Sequence, residues 1–251
     1  MDRLFQFGFN KMIGFDKVSC QQNKSVPTYR GAGRSLLPHG GKRSKAVSSH
    51  LAGPSLAGIY RAAERAIDLG YPLNRFVSVH WSCLGIGDDK AMTATSRLLT
   101  LARDWFRDRG VKAAWLWVRE NDDGGNSKGS HLHWLLHVPE PHREQFVRRV
   151  QGWALKAAGG VPRRARAVQT EPVGSNGLAS RNEAAYRANL GAVLSYVAKG
   201  CDSAHAASVR QASQTIAQGP LSRPIRSEQG GRIIGKRCDW SRALGGGKAK
   251  A

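Results

Sequence analysis

The stretch Gly129-Ser130-His131-Leu132-His133-Trp134-Leu135-Leu136-His137-Val138-Pro139 constrains this chain more than any other. It has the apolar content of a buried strand, and it carries two histidines one residue apart. Successive side chains of a strand alternate between faces, so His131 and His133 point the same way with α-carbons about 7 Å apart. Two imidazoles placed like this can close on one metal ion, or they can be ordinary packed sheet histidines. The segment before them, residues 113–120, reads as a second strand, and the polar, glycine-bearing residues 121–128 read as a hairpin loop between the two. Antiparallel pairing around that loop sets Glu120 opposite His131 and Val118 opposite His133. Directly opposed residues share a face with β-carbons about 5 Å apart, so the Glu120 carboxylate completes a two-histidine, one-carboxylate set with positions left open for substrate. A slip of one residue in register would turn Glu120 to the other face. His137 shares the face but lies about 13 Å along the strand from His133. It is too distant for the same ion and reads as a strand-end or phosphate-facing histidine. Asp122 and Asp123 remain as reserve carboxylates.

The charge balance points to a polyanionic partner. Lys and Arg number 39 against 18 Asp and Glu, a formal net charge of +21 over 251 residues. Such an excess favours nucleic acid by releasing counterions from phosphates. A chain of this length buries one good core with flanking arms, and two full domains are not expected. Cys20, Cys83, Cys201 and Cys238 stand far apart with no CxxC pair, so the spacing suggests neither a zinc cluster nor a disulfide framework. That usage fits a reducing cytoplasm. No apolar run approaches the ~20 residues that span a membrane, and residues 1–15 carry Asp2 and lack a clean signal-peptide core, so a soluble cytoplasmic protein is expected.

Residues 17–63 contain no Asp or Glu, while Lys24, Arg30, Arg34, Lys42, Arg43 and Lys45 sit among Gly, Ser and Pro. Residues 1–53 therefore read as a basic flexible arm. A helix over residues 55–69 follows, with Ser55 as its cap and Gly70-Tyr71-Pro72 as its stop. Residues 76–82 form the first convincing strand. A helix over 93–109 places Leu98, Leu101, Ala102, Trp105 and Phe106 at helical spacing. After the hairpin come a helix over 143–158, with Phe146, Val150, Trp153 and Ala157 on one stripe, a strand over 166–171, a loop over 174–180 and a helix over 182–199. Residues 201–251 read as a basic, mostly extended or disordered tail. The order of elements within residues 54–200 predicts a single α+β domain, a sheet with helices packed on it.

On the final helix, Tyr186, Leu190, Val193 and Val197 share one stripe, and Tyr196 lies about 80° round from Tyr186 at its edge. A side chain there is held by packing yet can show its hydroxyl to a cleft. Lys199, one turn on, neighbours Tyr196 and can favour a phenolate or hold a phosphate. A boundary core tyrosine would occupy the same place. Tyr186, at the centre of the stripe, is expected to be buried.

These residues carry a family resemblance. His131-Leu132-His133 resembles the His-hydrophobic-His motif of the HUH endonucleases, and Tyr196-Val197-Ala198-Lys199 resembles the Tyr-x-x-Lys motif of their single-tyrosine replication initiators. Residues 76–82 take the place of that family's first conserved strand, and Glu120 that of a third metal ligand beside His131 and His133. The similarity covers roughly residues 75–200. The long basic N-terminal arm and the His80-Trp81-Ser82 ending of the first strand depart from the family pattern. The resemblance implies a central antiparallel sheet with packed helices, the HUH/Rep-like nuclease fold, flanked by basic flexible arms. It implies a metal-dependent, site-specific single-strand DNA endonuclease and ligase that starts rolling-circle replication of a plasmid, phage or related mobile element in a bacterial host. Tyr196 would be the nucleophile of a 5′-phosphotyrosine intermediate, assisted by Lys199, with Mg²⁺ or Mn²⁺ as the divalent ion. The partners implied are single-stranded or origin DNA and a host helicase and DNA polymerase.

No nucleotide cofactor is expected, because Gly245-Gly246-Gly247-Lys248 is followed by Ala249 where a phosphate loop needs Ser or Thr. A relaxase usually supplies three histidines, and a small single-strand transposase is a much shorter chain. From another class, a non-catalytic basic nucleic-acid-binding protein would use the same charge, with the seven tryptophans as stacking surfaces.

Overall fold

Large apolar side chains at every second position, on strands too apolar to face water, demand cover on both faces of a sheet. The computed structural model, which describes residues 46–122, 129–160, 167–202 and 230–245, provides it. Five antiparallel strands, β2 (Arg75–His80), β3 (Trp115–Asp122), β4 (Gly129–Leu136), β5 (Val168–Pro172) and β7 (Cys238–Trp240), pair in the order β5-β2-β4-β3-β7. A separate two-stranded ribbon joins β1 (Val47–Ser48) to β6 (Ile233–Ile234). Val77, Val79, Trp115, Trp117, Leu132, Trp134 and Leu136 form one face, against the helices α2 (Asp88–Arg107) and α3 (Arg143–Ala157). Phe106 and Phe146, fully buried there, each contribute about 1.5–3 kcal/mol through their area removed from water. Phe76, Leu116, Val118 and Leu135 form the other face, against α1 (Gly53–Asp68) and α5 (Glu183–Val197). The protein is therefore α+β, a central antiparallel sheet with helices packed on both sides.

Element boundaries move where local chemistry outweighs periodicity. Helix α1 begins at Gly53, with Ala52 at its N-cap and Pro54 in its first turn, so Ser55 lies inside the helix and does not cap it. Helix α2 begins at Asp88, five residues before the expected start at 93, because Asp88 and Asp89 complement the partial positive charge of its first turn. Residues read as loop contain the short helix α4 (Leu178–Arg181). The side chain of Asn182 then caps α5, accepting from the Ala185 N–H at 3.0 Å. Among the described residues, Cys201 and Cys238 are buried free thiols.

The largest departure is at the two ends. Residues 230–245, read from sequence as part of an extended or disordered tail, supply β7 to the edge of β3 and β6 to the small ribbon. The Arg119 guanidinium, fully buried, is held by Asp88 at 2.6 Å and by the carbonyl of Ile234 at 2.9 Å. Its backbone N–H donates to the Arg237 carbonyl at 2.7 Å. The Arg237 guanidinium reaches the carbonyls of Ser48, Gly230 and Gly231. Strands of two and three residues leave no periodic signal, and the charges that fix them are indistinguishable in sequence from tail charges. At the other end, Leu51 is buried and its N–H donates to the Gly200 carbonyl at 2.7 Å, so residues 46–51 pack with the domain. The remainder of the expected N-terminal arm, residues 1–45, lies outside the described residues. Among the described residues no helix is long and apolar enough to cross a membrane.

Candidate metal centre

The β3–β4 register pairs Glu120 with His131 and Val118 with His133, as the sequence pattern requires. All three polar side chains therefore stand on the α1/α5 face of the sheet, at the end of the hairpin. Glu120 Oε2 lies 3.0 Å from His131 Nε2 and 3.3 Å from His133 Nε2. One ligand atom from each residue falls within 4.8 Å of the others, and all three residues are buried. The start of β4 depends on Gly129. Its φ is +65°, and an added β-carbon would come within 2.5 Å of Ser82 Cβ, so a glycine is needed at the turn into the strand.

The two imidazoles are oriented from behind. His131 Nδ1 is 3.1 Å from the Gly129 carbonyl and His133 Nδ1 is 3.1 Å from Ser78 Oγ. A carbonyl only accepts, so His131 Nδ1 donates to it, and neutral His131 then turns its Nε2 lone pair toward Glu120, the form in which a cation would be bound. Glu120 Oε1 is buried without a hydrogen-bond partner, which leaves a second oxygen for the same ion. Burial alone would raise the Glu120 carboxyl. The neighbouring His133, His131 and Lys199 outweigh it and hold the group well below the usual carboxylate range. Burial pushes His133 down, toward the neutral form a metal needs, against the pull of Glu120. Two imidazole nitrogens and a hard carboxylate thus fit a divalent cation, and the centre can hold one.

Helix α5 delivers the remaining candidates to the same place. Tyr196 is half-buried, its ring centroid 5.3 Å from that of His133 and 6.2 Å from that of Phe76. Lys199 Nζ sits 4.5 Å above the centre of the Tyr196 ring and 3.4 Å from Glu120 Oε2, bridging the aromatic hydroxyl-bearing residue and the carboxylate. Tyr186 lies in the core, donating to the Leu73 carbonyl at 3.4 Å, and burial drives its phenol far up. His137 stands at the strand end, directly after the last residue of β4. Its Nδ1 is bound to the Pro72 carbonyl at 2.9 Å and its ring lies 5.7 Å from that of Tyr71. The Asp122 side chain and Asp123 fall outside the described residues.

Three residues of β2 belong to the centre and were not singled out from sequence. Phe76, Ser78 and His80 pair with Leu135, His133 and His131. Phe76 stacks on His133 at 5.5 Å between centroids, and His80 on His131 at 5.4 Å. The available signal was their alternation, which puts all three on one face of a strand. No protein family, curated protein or solved structure gives a significant match to this chain. The centre is therefore interpreted from its own chemistry. Trp81, Trp105, Trp115, Trp117, Trp134 and Trp153 are all buried, so these six offer no stacking surface to a nucleic acid.

Replacing both histidines, His131→Ala with His133→Ala, should remove stoichiometric Mn²⁺ binding in a calorimetric titration while the far-ultraviolet circular dichroism stays that of the parent. Full Mn²⁺ affinity in the double variant would place the ion elsewhere.

Proposed function

We propose that this chain is a metal-dependent, site-specific single-strand DNA endonuclease and ligase of the HUH type, the initiator of rolling-circle replication for a plasmid, phage or related mobile element. The observation that carries the proposal is the packing of Tyr196, from the last turn of α5, and Lys199, from the turn just after it, directly against the Glu120–His131–His133 cluster. A nucleophile, a cation and a divalent-ion site within one side-chain shell are the parts that phosphodiester transfer needs.

His131, His133 and Glu120 would hold a divalent ion, which would supply Lewis-acid polarisation and orientation at the scissile phosphate. The two imidazoles shift affinity toward Mn²⁺, while a hard carboxylate accepts Mg²⁺. The Tyr196 hydroxyl attacks phosphorus, a Tyr Oη–P bond forms and the P–O3′ bond breaks. The phenol gives up its proton, and the departing 3′-oxygen takes one up. Lys199, over the ring, stabilises negative charge on the phenolate oxygen and the phosphate. The phosphotyrosine ester retains the energy of the bond it replaced, so a later 3′-hydroxyl reverses the step and reseals DNA without a nucleotide cofactor. The free 3′-end primes a host DNA polymerase, and unwinding falls to a host helicase.

The test uses single-stranded oligonucleotides tiled across the replicon that encodes the protein, incubated with Mn²⁺ and run on a denaturing gel. A 3′-end label should travel with the protein, and a 5′-end label should appear on a short free fragment. Salt-sensitive binding with no adduct on any oligonucleotide would instead make this a non-catalytic basic nucleic-acid-binding protein. The basic residues before position 46 are assigned to affinity. Deleting residues 1–45 should weaken binding to all single strands alike and flatten the dependence of log Kd on log salt. Selective loss of the preferred sequence would make that segment a specificity element.

A further inference from the structure

Rows of residues on adjacent strands do more than fill space around a metal site. On β2, Phe76 covers one flat side of the His133 ring and His80 one flat side of the His131 ring, with interplanar angles of 20° and 21°. Stacking of this kind fixes the plane of an imidazole. It does not decide which nitrogen carries the hydrogen, because both tautomers have the same shape. That choice belongs to the hydrogen bond at Nδ1.

The two histidines receive different instructions. His131 meets the Gly129 carbonyl, an obligate acceptor, and has one neutral tautomer available to it. His133 meets the Ser78 hydroxyl at 3.1 Å, in a pair that is fully buried, and a hydroxyl both donates and accepts. We infer that Ser78 is a positioning residue for the divalent cation, a hydroxyl that lets His133 exchange tautomers at constant charge. This inference rests on the reading of the centre as a metal site. In one arrangement Ser78 donates to bare Nδ1 while Nε2–H donates to Glu120 Oε2, 3.3 Å away. In the other Ser78 accepts from Nδ1–H, and Nε2 offers its lone pair to the cation. Passing from the first to the second takes one hydrogen from Nε2, places one on Nδ1 and rotates one O–H bond. His133 stays neutral throughout, so no net charge is created at a side chain only 3 % exposed.

The geometry separates Ser78 from its neighbours on β2. Phe76 has no hydrogen bond to give, and the orienting partner of His131 is backbone that mutation cannot remove. Loss of the hydroxyl leaves a buried Nδ1–H without an acceptor, so His133 is held in the tautomer whose Nε2–H donates to Glu120 and is disfavoured in the form that binds the cation. Threonine in its place keeps the hydroxyl on a β-branched side chain suited to a strand.

The experiment measures Mn²⁺ binding to the full chain by calorimetry, for the parent, Ser78→Ala and Ser78→Thr. Ser78→Ala should bind about 10–100-fold more weakly, and Ser78→Thr within a few-fold of the parent. ¹⁵N-histidine NMR with Mg²⁺, which avoids the paramagnetism of Mn²⁺, supplies a readout that a merely structural role would not move. His133 should show a mixture of tautomers in the metal-free parent and Ser78→Thr, Nδ1 protonated and Nε2 bare once they are loaded, and Nε2 protonated with Nδ1 bare in metal-free Ser78→Ala. Parent-level affinity together with a parent-like metal-free mixture in Ser78→Ala would overturn the role of Ser78 and leave the metal centre standing. Absence of Mn²⁺ binding by the parent itself would overturn the metal centre, and this inference with it.

Discussion

Tyr196→Phe is expected to abolish both strand cleavage and the covalent adduct while Mn²⁺ affinity and melting temperature stay close to those of the parent. The substitution removes one oxygen and keeps the ring. The ring makes the contacts that place α5 on the centre, with centroids 5.3 Å from His133 and 6.2 Å from Phe76, and it carries the Lys199 ammonium at 4.5 Å. Tyr196 is half-buried at the edge of the α5 stripe. Tyr186→Phe is the matched control. Its hydroxyl is buried against the Leu73 carbonyl, and its phenol is pushed far above the ordinary tyrosine range by burial. Losing that bond costs about 1 kcal/mol and no activity. Mass mapping of the DNA-linked peptide decides between them. A linked peptide containing Tyr186, or an undiminished adduct in Tyr196→Phe, would remove Tyr196 from the reaction even with the metal centre intact.

The parts of the centre that could be read from sequence are those within one hairpin. Glu120 and His131 are eleven residues apart, so a short loop and strict alternation leave few ways to pair their strands, and the observed register matches the one expected. Tyr196 and Lys199 were legible for a similar reason, as neighbours on one helix turn. Ser78 and His133 are 55 residues apart. Their meeting depends on β2 pairing with β4 across an intervening helix and the whole of β3, and nothing local encodes that order. The same limit hid the partner of Arg119. A buried arginine in a strand of tryptophans signals a buried acid somewhere, but nothing local in the sequence marks Asp88 as that acid. Its place in the first turn of α2, under β3, is a property of the packed sheet. At the C-terminal end, composition misled outright, because Ser, Gly and Arg are the residues of both tails and tight backbone clasps.

That clasp sets the second large expectation, which concerns a chain ending at residue 229. Without residues 230–251, the buried Arg119 guanidinium loses the Ile234 carbonyl at 2.9 Å, and the Asp88 carboxylate loses the Ile234 N–H at 2.7 Å. The Arg119 N–H loses the Arg237 carbonyl at 2.7 Å. Trp240 goes as well, and it lies so close on α1 that a β-carbon at Gly58 would come within 2.3 Å of its ring. Strand β3 is then an unprotected edge immediately beside Glu120. Each buried polar group left without a partner costs about 1–3 kcal/mol, and a domain of this kind has only about 5–15 kcal/mol to lose. The truncated chain should therefore lose its cooperative melting transition and its stoichiometric Mn²⁺ binding together, although every metal ligand and both tyrosines remain in it. Deletion of residues 1–45 should leave both intact. If the chain ending at residue 229 melted at the parent temperature and bound Mn²⁺ with parent affinity, the hairpin alone would be holding Glu120 against His131 and His133, and β7 would be an ornament of the sheet.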